Sequence, residues 1–175
     1  MIEYFALKLA GSIKKSVPDS HTSTAVMRFA LSVIINASMI IILSLLISLI
    51  TGKIKEATIA LVAFPLLRQA SGGYHLKSGM KCVLFSTALI TVISLVDLQY
   101  KYIFIMGLLS IVLVAIYAPS NIEKQSRTPK KYYPLLKFIS FVIVALNLFI
   151  GSSVLAAAFF AQSISLIRLK GGEQL

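Results

Sequence analysis

Apolar stretches long enough to enter a lipid bilayer follow one another along this chain, separated by short polar breaks. Lipid offers no partner to an unpaired backbone N–H or C=O, so such a chain has two stable solutions, a bundle of helices or a closed β-barrel. Barrel strands alternate apolar and polar residues. Ile40 to Leu49 and Val83 to Ile93 instead run apolar with only Ser and Thr interspersed. The expected fold class is therefore all-α, a polytopic membrane helical bundle. Composition points the same way: the 175 residues are 58% hydrophobic and 13% charged, with a mean hydropathy of +0.90, whereas soluble domains are about one quarter charged.

Residues 1–16 set Ile2, Phe5, Leu9 and Ile13 at helical spacing, with Lys8, Lys14 and Lys15 largely on other faces. That pattern predicts a helix lying on the membrane surface. The same stretch lacks the uninterrupted apolar core of a cleavable signal peptide and is expected to be retained. Six spans are predicted beyond it, at 27–50, 57–70, 82–96, 102–118, 138–150 and 152–167, within one membrane-embedded domain over 1–175. The second is short for a crossing of about 20 residues. Pro119 closes the fourth, because proline has no N–H with which to continue a helix. Gly151 joins the last two as a tight hairpin, Asn147 reads as a helix-packing group, and Asp97 and His21 read as turn and loop residues.

The formal net charge of +11 lacks the aromatic-interleaved basic patches of a nucleic-acid surface, and no nucleic-acid partner is expected. It fits topology better. If the N-terminus is cytoplasmic, only Lys53, Lys55 and Lys101 of the 17 Lys and Arg fall outside, and cytoplasmic loops are the ones enriched in these residues. A multi-pass cell-membrane protein with both termini cytoplasmic is expected, with the Arg68 to Cys82 segment at the cytoplasmic face. A single cysteine forbids an internal disulfide, and one Cys with two His cannot complete a four-ligand structural zinc site. No metal or cofactor is expected.

Between Arg68 and Cys82 the sequence gathers its only cysteine, one of its two histidines and three of its nine glycines. Cysteine chemistry needs a thiolate and a base that accepts its proton near neutral pH, the usual role of histidine. His75 and Cys82 stand seven positions apart, and on one helix that is about 10.5 Å along the axis, too far for proton transfer. The segment is therefore expected to fold back, with Gly72, Gly73 and Gly79 permitting the turn. Placed where a helix begins, Cys82 meets exposed N–H groups and the positive end of the helix dipole, and Lys77 and Lys81 act in the same sense. These residues also admit plainer readings: Cys82 as a small packing residue, His75 as a hydrogen-bonded interfacial residue, Arg68 as an interfacial anchor.

The series Arg68, Gly73, His75, Cys82, set between a short second span and a third, resembles the accessory gene regulator B peptidases of Gram-positive quorum sensing. The resemblance extends through Tyr117-Ala118-Pro119, a Lys-rich loop and Lys131-Tyr132-Tyr133, and covers most of the chain. It implies a membrane cysteine endopeptidase that cleaves a short propeptide at the cytoplasmic face and promotes its closure to a thiolactone or lactone ring. Carried over residue by residue, it gives Cys82 as nucleophile and His75 as general base, with Arg68 and Gly73 supporting. Gln69, Ser71 and Ser78 are candidates to orient His75 or to donate to an oxyanion. Lys124, Arg127, Lys130 and Lys131 are candidate contacts for the propeptide or for anionic lipid headgroups.

Attack of Cys82 on a peptide carbonyl would make a thioester, and a peptide cysteine held close would take over the acyl group at little cost, driven by proximity. The expected partners are thus an AgrD-like propeptide and membrane lipids. The family also implies a homodimer, for which Gly151 and Ala156 to Ala158 offer small residues for close helix contact. Two rivals are a non-catalytic six-helix membrane protein, such as the substrate-binding subunit of a vitamin transporter, and an anchor palmitoylated on Cys82.

Overall fold

The computed structural model describes residues 2–17, 22–73, 78–120 and 129–167. Seven α-helices make up this part: α1 Ile2–Ser16, α2 Thr24–Thr51, α3 Ile54–Ser71, α4 Gly79–Leu95, α5 Tyr100–Tyr117, α6 Tyr133–Ile150 and α7 Ser153–Ile164. A 3-10 turn, Lys130–Tyr132, leads into α6. No strand is found among the described residues, as an all-α bundle requires.

The side chains are sorted as lipid demands. Large apolar residues such as Phe29, Ile50 and Phe149 face outward, whereas Ser44, Ser48, Ser110, Ser140 and Ser163 are buried. Several of these hydroxyls bond to carbonyls of their own helix, as Ser110 does to Met106 O at 2.7 Å and Ser163 to Phe159 O at 2.7 Å. A serine so satisfied is small and needs no water, which lets helices approach closely. The chain is a membrane protein by this arrangement and by three helical stretches long and apolar enough to cross: α2, α5, and Lys130–Ile150.

The expectation of six spans is only partly matched. α3 carries Lys55, Glu56 and Arg68 within its 18 residues, and α4 and α7 have only 17 and 12. At about 1.5 Å per residue, α7 reaches about 18 Å, short of a bilayer core of about 30 Å. The described helix at the predicted span 152–167 is thus short of a crossing by length, and much of it packs inside the bundle. Val154, Ala157, Ala158 and Phe159 of α7 join Ala60, Ala63 and Leu67 of α3, Val114 of α5 and Val144 of α6 in one core. α7 packs chiefly on α5 and α3, while α2 packs on α1 and α4.

This corrects the reading of Ala156, Ala157 and Ala158 as a subunit contact. They are buried inside the chain's own core, where their small size admits neighbouring helices. α1 forms as predicted, with a different inner face: Ile2, Ala6 and Ala10 are buried, leaving Phe5, Leu9 and Ile13 exposed.

The helix ends follow local chemistry. Ser23 Oγ accepts from Val26 N at 3.3 Å to start α2, and Gly52, left-handed at φ 70°, ends it. At the α6–α7 hairpin Gly151 is left-handed at φ 67°. Buried Asn147 holds it closed, its Nδ2 donating to Ser152 O and its Oδ1 accepting from Ser152 N, both at 3.2 Å. Asn147 thus caps as well as packs.

Candidate functional site

Cys82 stands in the opening turn of α4, half-buried. The helix begins three residues earlier than predicted, at Gly79, because Ser78 is extended and serves as its N-cap. The N–H of Cys82 is consequently already bonded, to Ser78 O at 2.9 Å. Cys82 thus closes the first turn of α4, and the N–H groups left without helical partners belong to the residues before it. Extended Ser78 also means that no single helix runs from residue 75 to residue 82. His75 itself lies outside the described residues, as do Lys77, Lys124 and Arg127.

Two of the three expected turn glycines bend the backbone. Gly72 at φ 74° and Gly73 at φ 126° lie in the region that L side chains avoid, and they end α3. Gly79 is different: it is the first residue of α4, and its missing side chain makes room for Asn36 of α2. A Cβ there would stand 3.0 Å from Asn36 Oδ1, an oxygen that is buried without a hydrogen-bond partner among the described residues. Gly79 is therefore a close-approach glycine and not a turn residue.

Arg68 occupies the last turn of α3 and interacts electrostatically with Cys82, so the structure brings these two predicted site residues together. The Sγ of Cys82 also lies 4.0 Å from Ser86 Oγ, one turn along α4. The remaining candidates divide. Gln69 and Ser78 are exposed. Ser71 is buried and already engaged, its hydroxyl donating to Leu67 O at 2.8 Å and accepting from Gln162 Nε2 at 3.1 Å. Lys130 and Lys131 lie in the turn packed on α6, with Lys131 Nζ 4.9 Å from the Tyr132 ring centroid.

The turn after α3 is held from two distant elements. Ser120, which follows the cis Ala118-Pro119 peptide, accepts from Gly73 N at 2.8 Å and donates to Ser71 O at 2.9 Å. Gln162 of α7 donates to Gly72 O at 2.7 Å. A Cβ on Gly73 would lie 2.7 Å from Ser165 Oγ, so the backbone passes α7 with no room for a side chain.

Sequence reasoning missed Asn36, Ser86 and Gln162. Only Ser86 had a usable signal, its i+4 spacing from Cys82 on one helix face. Among the described residues no three His, Cys, Asp or Glu side chains gather as a metal site. A groove of about 450 Å³ between α3, α6 and α7, lined by Ile59, Val62, Ile143, Leu155 and Phe159, contains none of the candidate residues.

The family model described as Accessory gene regulator B matches residues 6–169. The chain is 28% identical to an AgrB-like protein of Halalkalibacterium halodurans, over 100% of this chain and 92% of that protein. It is 22% identical to accessory gene regulator protein B of Staphylococcus aureus (strain bovine RF122), over 92% of this chain and 88% of that one. No solved structure matches.

Proposed function

Because this chain belongs to the accessory gene regulator B family, we propose that it is a membrane cysteine endopeptidase of quorum sensing, which cleaves a short propeptide at the cytoplasmic face. The observation that carries the reading is the sole cysteine in the first turn of α4, a helix that starts just after the extended Ser78 and follows the Gly72-Gly73 turn that ends α3. His75, seven residues before Cys82, takes the thiol proton and returns one to the leaving amine.

In the proposed sequence Cys82 Sγ bonds to the scissile carbonyl carbon, the C–N bond breaks, and the C-terminal fragment leaves as an amine. The resulting thioester passes its acyl group to a thiol or hydroxyl of the propeptide itself, closing the ring and freeing Cys82. Lys130 and Lys131, together with Lys124 and Arg127 of the same loop, supply cationic partners for an acidic propeptide tail or for lipid headgroups.

Co-expression with a candidate AgrD-like propeptide tests this directly. Processing is expected in the wild type and is abolished in Cys82→Ser and in His75→Ala, with both variants still inserted in the membrane. Continued processing by both variants would overturn the reading.

A further inference from the structure

We propose that Gln162 is a positioning residue for this reaction, clamping to α7 the Ser71-Gly72-Gly73 turn from which the His75 segment departs. The proposal rests on the peptidase reading above. Gln162 is fully buried near the end of an otherwise apolar helix. Its two amide hydrogens go to Gly72 O at 2.7 Å and to Ser71 Oγ at 3.1 Å. Ser165 Oγ, 3.1 Å from Oε1 and 2.7 Å from the Gln162 carbonyl oxygen, fixes which way the carboxamide faces.

Packing alone does not require an amide here. Leu or Met would fill the same volume without the penalty of desolvating a carboxamide, and that penalty is offset only by the bonds the group makes. Both donor bonds of Gln162 end on one turn, 90 and 91 residues away in sequence. That turn is already committed at Gly73, whose backbone is bonded to Ser120 and whose α-carbon passes close to Ser165.

The consequence for the chemistry comes from chain length. Four residues join Gly73 to Ser78, the N-cap of the helix that carries Cys82. His75 is the second residue after Gly73 in the sequence, so a displacement of the Gly73 anchor shifts the point from which the chain leads to it. Misplacing a catalytic group by about 1 Å can cost about 100-fold in rate. Gln162 thereby acts on the reaction without touching substrate.

The test uses the full chain in proteoliposomes with the co-expressed propeptide, and iodoacetamide as a second probe, since Cys82 is the only thiol. Gln162→Met keeps volume and removes both donors. It is expected to lower kcat about 100-fold with KM changed less than about twofold, to slow alkylation of Cys82, and to stay folded and inserted. Ser165→Ala, a milder change that releases Oε1, is expected to shift both readouts in the same direction by less.

Wild-type kcat and alkylation in Gln162→Met, beside an inactive Cys82→Ser, would remove the role of Gln162 alone. Activity lost only in proportion to folded protein, with alkylation per folded molecule unchanged, would overturn it as well. Processing that survives Cys82→Ser would remove the peptidase reading, and this proposal with it.

Discussion

A Cβ added at Gly73 meets Ser165 Oγ at 2.7 Å, and the φ of 126° is one that L side chains rarely adopt. Gly73→Ala therefore combines a clash with backbone strain of about 1–3 kcal/mol. A lowered thermal midpoint in detergent and loss of propeptide processing are expected; an unchanged midpoint would show that the turn relaxes freely. Residues of this kind differ in how legible they are. Cys82 stands out because it is the only thiol, and Arg68 because a charge near a span end needs a reason. Gly79 was visible but assigned the wrong purpose, since nothing local reveals that Asn36 presses on it from another helix. Gln162 was invisible for the same reason: a lone amide in an apolar helix gains meaning only from partners about ninety residues away.

Helices were legible in kind and less so at their ends. Long apolar runs predicted α2 and α5 closely, because burial in lipid leaves the backbone no alternative to helix. α4 starts before its apolar run does, since an extended Ser78 followed by Gly79 begins the helix ahead of Cys82. α7 is shorter than the crossing expected at 152–167, and hydropathy does not distinguish contact with lipid from contact with protein: its alanines are buried against neighbouring helices. The hairpin that positions α7 depends on Asn147, whose carboxamide serves both polar groups of Ser152. Asn147→Leu takes the partner from the Ser152 N–H, while Ser152 O keeps Ala156 N at 3.0 Å, and is expected to destabilise the bundle by about 1–3 kcal/mol. Thermal unfolding followed by circular dichroism measures it, and a midpoint equal to wild type would contradict the assignment.

At the scale of the molecule, charge distribution sets the expected orientation, with the Lys53 turn outside and the Lys131 turn inside. Cysteines introduced singly on a Cys82→Ser background report it. In intact cells a membrane-impermeant maleimide is expected to label Lys53→Cys and to reach Lys131→Cys only after lysis; the reverse pattern would invert the topology. Gly72 and Ser120 are far apart in sequence, yet a parallel bridge joins them. The bridge ties the end of α3 to the residues that close α5. A load borne at Ser120 is thereby carried directly to the end of α3, and the two helix ends behave as one mechanical unit.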